Sequence, residues 1–284
     1  MPVVKATVHG AISIVNAIAT GKGATLGISK NIDVIIETSQ GSGITTETNG
    51  KLLRSRLINR VVEKIVPKKE LQKTKLKILV DSEVPTGYGL KSSSAISSAV
   101  ALGCAKLFKP NMNDFEILSA GVDASIETKV SLTGAYDDAC ACYYGGFNTT
   151  DNYKRKIINS EKCLDDISVV IFLPHARKRG NIRKLRTQSD VFEQAWNLAK
   201  KSDYWNAMIL NGFATSALLN SDPKIISKLV EKGALGASVS GNGPSIAAVA
   251  KNNNLTDIKK VFSTLEGTTT ISKINNKKAE VHEL

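Results

Sequence analysis

Aromatic side chains are scarce in this sequence: Phe, Trp and Tyr make up 5% of its 284 residues. Single-stranded nucleic acid is gripped by aromatic platforms on which bases stack, so the shortage argues against that partner despite a formal net charge of +12. The densest basic clusters, 67–77 and 177–186, contain no aromatic residue and read as solvated faces. Histidine is rare too: His9, His175 and His282 are far apart and form no metal-ligand spacing. Of the cysteines Cys104, Cys140, Cys142 and Cys163, only Cys140 and Cys142 are close. No His or second Cys pair lies near them, which excludes a zinc site and leaves buried thiols in a reducing compartment. No apolar run reaches the length of a membrane span, since 95–108 is broken by serines and Lys106. Residues 1–5 lack the basic start and apolar core of a signal peptide, so the expected location is cytoplasmic. A Walker A loop is missing as well: Gly21-Lys22 has Asn16 where the first Gly belongs, and Gly23 follows the lysine.

What is present is a different glycine-rich turn. Pro85, Thr86, Gly87, Tyr88, Gly89, Leu90, Lys91, Ser92, Ser93, Ser94 and Ala95 follow a strand-like run, 76–80, and precede a small-residue helical run, 94–108. A turn that opens a helix is an anion site. The first N–H groups have no internal partner, and the helix dipole adds partial positive charge. Gly87 and Gly89 permit sharp bending and close approach. The three serines offer hydroxyls to phosphate oxygens, to a metal ion or to the helix cap. Nucleotide phosphate is the expected ligand.

The rest of the chain mixes strands and helices. Residues 3–8 read as a strand and 9–19 as a turn leading to strand or helix. Residues 24–39 read as two strands, and 52–66 as an amphipathic helix stopped by Pro67. A helix over 113–127 has Asn113 and Glu116 placed as a capping box. Residues 136–144 read as a buried helix, 147–153 and 167–173 as strands, and 190–201 and 203–219 as helices. Pro223 opens another helix. A hairpin, 237–240 with 245–250, closes around Gly241-Asn242-Gly243, and a helix over 257–265 and a strand over 268–274 follow. This order predicts an α+β architecture of two domains, 1–160 and 161–284.

Three segments together resemble the GHMP kinases, the superfamily of galactokinase, homoserine kinase, mevalonate kinase and phosphomevalonate kinase. Pro85, Gly89, Leu90, Ser92 and Ser93 match its second motif, with Ser94 where many members have Ala. Ser240-Gly241-Asn242-Gly243-Pro244-Ser245 is similar to its C-terminal glycine motif. Asp137-Asp138 ahead of Gly145-Gly146 resembles the segment that carries its catalytic aspartate. Within the superfamily, residues 16–23, 89–95 and 133–139 resemble the archaeal type of shikimate kinase. The resemblance implies an N-terminal domain like domain 2 of ribosomal protein S5 and a ferredoxin-like C-terminal domain. It implies ATP-dependent phosphorylation of a shikimate hydroxyl in aromatic amino-acid biosynthesis, with ATP and Mg²⁺ as cofactors and a small molecule, not nucleic acid or a membrane, as partner. A homodimer is compatible with it, and the sequence leaves the oligomeric state open. The rival readings are another GHMP small-molecule kinase, of homoserine or mevalonate type, and a non-catalytic RNA-binding protein.

Phosphoryl transfer needs donors for the phosphate oxygens, a magnesium ion and a group that deprotonates or positions the attacking hydroxyl. Residues 85–95 supply the first, with Lys91 as an added cation. Ser94, or Ser93, with Glu127 is the candidate metal set. Glu127 stands eleven residues before Asp138, the interval the resemblance to mevalonate kinases implies. Adjacent carboxylates in an apolar stretch are costly without a function. Asp138 is taken as the base and Asp137 as its substitute, since the count from Gly145 favours one and the Asp-Asp-Ala match favours the other. Lys22 is a further candidate, for neutralising charge in the transition state. The substrate's carboxylate calls for an arginine fork from Arg177, Arg179, Arg183 or Arg186, and its hydroxyls for Asn16 and Thr20.

Overall fold

Small and β-branched residues alternate through the start of the chain, and they build one long antiparallel ribbon. The computed structural model describes residues 2–48, 50–163, 166–177 and 180–284. Strand β1 (Val3–Val15) pairs along its length with β2 (Lys22–Gln40). The turn expected within 9–19 is therefore strand up to Val15, and the two strands expected over 24–39 are one. The signal that suggested a break is real: the pairing register shifts between His9 and Gly10.

Beyond the ribbon come β3 (Gly43–Thr48), β4 (Lys51–Leu52), α1 (Arg56–Ile65), the single turn α2 (Lys68–Leu71) and β5 (Thr74–Ser82). The long helix α3 (Ser92–Phe108) precedes α4 (Asp114–Glu127), α5 (Tyr136–Tyr144), β6 (Phe147–Asp151) and β7 (Lys156–Glu161). The second half holds β8 (Ile167–Pro174), α6 (Ser189–Lys200), α7 (Tyr204–Leu218), α8 (Pro223–Glu231), β9 (Ala234–Val239) and β10 (Ile246–Lys251). It ends with α9 (Leu255–Phe262), β11 (Gly267–Lys273) and β12 (Glu280–Glu283).

Two sheets organise these elements. The first runs β12-β1-β2-β5-β3-β4, with β6 also on β2 and β7 on β6. The second runs β11-β8-β10-β9. Helices α3 and α5 pack on β1 and β2, while α7 touches both β9 of the second sheet and β1 of the first. The fold is thus mixed α+β, as the element order predicts. One detail departs from a clean division at residue 160: β12, at the chain's end, pairs with β1.

Local chemistry explains several boundaries. Asn113 and Glu116 form the expected capping box on α4. Asp222 caps α8, with Pro223 at the first helical position. The four cysteines are buried, and burial alone pushes the Cys104 thiol up to about 12. Among the described residues no helix is long and apolar enough to cross a membrane.

Candidate active site

The two glycine turns meet. Gly89, at φ +81°, passes so close to the second turn that a Cβ placed on it would lie 1.9 Å from the Ser240 carbonyl oxygen. Hydrogen bonds stitch the contact: Ser240 Oγ donates to the Gly89 carbonyl at 2.8 Å, and Ser245 Oγ donates to the Tyr88 carbonyl at 2.6 Å. Gly89 is therefore demanded first by a neighbouring backbone, not only by a phosphate.

Between the turns and α5 lies a cleft of about 480 Å³. Thr86, Gly87, Gly89, Lys91, Ser92, Ser93 and Ser94 form one wall, and Gly241, Asn242 and Gly243 another. Asp137 and Asp138 line it from α5, as do Ser13 and Asn16 from the β1 end. Helix α3 starts at Ser92, two residues earlier than predicted, because Lys91 takes the left-handed conformation at φ +66° and ends the turn there. The first intrahelical bond runs from Ala95 N–H to the Lys91 carbonyl, at 3.0 Å. The N–H groups of Ser92, Ser93 and Ser94 precede it, on residues that line the cleft. Such an end accepts a polyanion. Leu90 and Ala95, named from sequence as part of the cradle, are instead buried in the core, and Pro85 and Tyr88 do not line the cleft.

The aspartates are held differently. Asp138 receives the Lys91 ammonium on Oδ1 at 2.9 Å. Lys91 also donates to Ser13 Oγ at 2.7 Å, and the Gly241 N–H donates to the same Ser13 oxygen at 3.0 Å. Asp137 lies deeper, 3% exposed. Its Oδ1 accepts from Asn152 Nδ2 at 2.7 Å, and its N–H donates to Asn152 Oδ1 at 3.0 Å. Thr25 Oγ1 lies 3.2 Å from Asp137 Oδ2 and 3.2 Å from Asp138 Oδ1. Burial, and then the charge of Asp138, push the Asp137 carboxyl up to about 6 against the pull of Lys91. Space for this carboxylate comes from Gly23, where a Cβ would lie 2.2 Å from Asp137 Oδ2.

Other residues named from sequence fall elsewhere. Lys22 does not line the cleft: its ammonium pairs with Glu193 at 2.5 Å and sits over the Trp196 ring. Glu127 pairs with Arg60, and with Lys64 at 2.6 Å, on an exposed face and is not part of the cleft lining. These two corrections have one cause: a lysine or glutamate near a motif is captured by the nearest opposite charge. Thr20 bonds to the backbone of Lys22 and does not line the cleft. Asn16 does line it, donating from Nδ2 to the Gly241 carbonyl at 2.8 Å. Arg177 stacks on Tyr88, with its Nε 3.1 Å from the phenol oxygen. Arg183 is exposed and outside the cleft lining, whereas Arg186 Nε reaches the carbonyl of cleft residue Ile18 at 3.5 Å. Arg179 lies outside the described residues. Ser13, Thr25 and Asn152 escaped the sequence reading. Their only signal is a polar residue in an otherwise apolar strand or turn.

The cleft can hold a polyanion at the α3 end and a hydroxyl compound beside the aspartates. Among the described residues no three His, Cys, Asp or Glu side chains converge as a metal cage. A magnesium ion, which keeps few protein ligands and binds with phosphates, needs no such cage. The hard hydroxyl oxygens of Ser92, Ser93 and Ser94 suit it.

Comparison with known proteins agrees with this geometry. Residues 56–146 match the model for the GHMP kinases N terminal domain. A shikimate kinase of Methanobrevibacter smithii is 34% identical over 277 residues, which cover 94% of this chain and 95% of that protein. A shikimate kinase of Methanosarcina acetivorans is 36% identical over 283 residues, covering 96% and 95%. In fold, the chain superposes on the crystal structure of the Methanococcus jannaschii mevalonate kinase with a TM-score of 0.76, at 16% identity, covering 96% of this chain and 98% of that one.

Proposed function

The chain belongs to the GHMP kinase family, and from that premise we propose that it transfers the terminal phosphoryl group of ATP to a hydroxyl of shikimate, giving 3-phosphoshikimate and ADP. The full-length identity to shikimate kinases supports the acceptor. The observation that carries the chemistry is the Lys91–Asp138 pair, set in the same cleft as the serine-lined start of α3.

The N–H groups and hydroxyls of Ser92, Ser93 and Ser94 hold the phosphates, helped by the α3 dipole. Ser94 would ligate a magnesium ion arriving with the nucleotide, which neutralises charge on the phosphate oxygens. Asp138 takes the acceptor's hydroxyl proton. The freed oxygen pair forms the new O–P bond as the bond from the γ-phosphorus to the ADP oxygen breaks. Lys91, paired with Asp138, offsets negative charge as transfer proceeds. Asp137 anchors the start of α5 through Asn152. Arg186 is the arginine assigned to the acceptor's carboxylate, through its reach to Ile18. We read 1–160 as the nucleotide-binding domain and 161–284 as the second domain, with β12 returning to the first sheet.

A coupled assay of ADP release with shikimate, homoserine and mevalonate tests the acceptor. Turnover with shikimate alone is expected; turnover with either other alcohol and none with shikimate refutes it.

A further inference from the structure

A threonine hydroxyl carries one proton and two lone pairs. Thr25 is completely buried on β2, and its oxygen lies 3.2 Å from a carboxylate oxygen of each aspartate. It can donate to only one of them. With both carboxylates ionised, the other contact sets lone pair against lone pair. A proton on one carboxyl resolves the conflict, and the surroundings decide which one.

Asp138 Oδ1 already accepts from Lys91 Nζ at 2.9 Å. A proton placed on that oxygen would displace the ammonium from its partner. Among the described residues no cation forms an ion pair with Asp137. The hydrogen-bond partners of Asp137 are the neutral Asn152 amide, Thr25 and the Asp138 backbone N–H, and the charged groups acting on it among the described residues are Asp138, from its own helix, and Lys91, from the turn before α3. The thiols of Cys140 and Cys142 on the same helix are pushed up by burial and stay neutral. Asp137 is also the less exposed of the two: its residue is 3% exposed, against 17% for the Asp138 side chain. Every contact is satisfied by one arrangement: Asp137 Oδ2–H donates to Thr25 Oγ1, and Thr25 Oγ1–H donates to Asp138 Oδ1.

We propose that Thr25 is a positioning residue that sorts the aspartate pair, directing the first proton the pair takes up onto Asp137 and keeping Asp138 as the ionised base. This rests on the reading of Asp138 as base given above. Asp137 is then a proton store behind the working carboxylate. Its protonation on acidification leaves the base charged, so turnover persists until Asp138 itself is protonated.

Carbon-13 NMR of carboxyl-labelled aspartates, assigned with Asp137→Asn and Asp138→Asn, reads the order directly. In the wild type the Asp137 signal is expected to titrate first as pH falls. In Thr25→Val the order is lost, and the acid limb of kcat moves up by about one pH unit, the size of an unrelieved like-charge effect, with KM for ATP unchanged. Thr25→Ser, which keeps the hydroxyl, is expected to restore both. A wild-type titration in which Asp138 protonates first overturns the proposal, as does a Thr25→Val limb and order identical to wild type. If Thr25→Val does not fold, the wild-type titration order still decides. Full turnover in Asp138→Asn would remove the base assignment instead, without touching the titration order.

Discussion

The Lys91 ammonium and the Asp138 carboxylate are 2.9 Å apart, and both side chains are largely withdrawn from water, at 5% and 17% exposure. Lys91 has a left-handed backbone at the start of α3, and its ammonium reaches both Ser13 of β1 and Asp138 of α5. One residue thus ties the glycine–serine turn at the start of α3 to α5 across the cleft. Lys91→Met is expected to lower kcat by on the order of 100-fold or more, since it removes a preorganised cation from a water-poor site. Steady-state kinetics checks this, and an unchanged kcat would mean that Lys91 serves only the fold.

Gly89 and Gly43 separate two reasons for a glycine. Both have positive φ, but a Cβ on Gly89 meets the Ser240 carbonyl while one on Gly43 meets nothing within 4 Å. Gly43→Ala should lose about 1–2 kcal/mol from backbone strain and keep its affinity for ATP. Gly89→Ala should lose about 1–3 kcal/mol or more by overpacking and, because the two turns part, bind ATP more weakly. Thermal melts and nucleotide titration of both variants separate the two effects.

Asp137 is expected to trade stability for function. Its carboxyl, at about 6 in the fold against 3.8 in the unfolded chain, binds more protons folded than unfolded between those values. Stability from this group therefore falls as pH rises through that window, and the loss is complete above about 6. Asp137→Asn removes the penalty while keeping an acceptor for Asn152, so at pH 7 it should stabilise the fold by on the order of 1–3 kcal/mol. Its melting temperature should exceed the wild-type value most at pH 7 and least near pH 4.

Much of the site was legible because it is contiguous. The glycine–serine turn, the paired aspartates and the second glycine turn are each local runs, and the structure puts them on one cleft. Helix α5 matches the predicted limits, and the chain takes positive φ at both of its caps, Ala135 and Gly145. Edge strands were not legible. The exposed or half-polar β4, β7 and β12 carry no alternation strong enough to announce them, and β12 forms only because β1 offers an open edge. Thr25 and Asn152 act across 112 and 15 residues of chain, so no spacing rule finds them. In Gly21-Lys22-Gly23 the sequence drew the eye to the charge, whereas the site depends on the missing side chain of Gly23.

Glu127 gives a control. Paired with Arg60 and Lys64 on an exposed face, it should be dispensable for metal binding. Glu127→Gln is expected to keep kcat, and the magnesium concentration for half activity, within about twofold, as solvent-exposed ion pairs contribute little. A steep rise in the magnesium requirement would return Glu127 to the metal set.

The most direct test of Asp138 as the base is Asp138→Asn, assayed for shikimate-dependent ADP release beside nucleotide binding by calorimetry. Turnover is expected to fall by about 10²–10⁴-fold, the contribution of a positioned base, with ATP bound as tightly as before. Wild-type turnover in the variant, or no shikimate-dependent release from the wild-type protein, would contradict it.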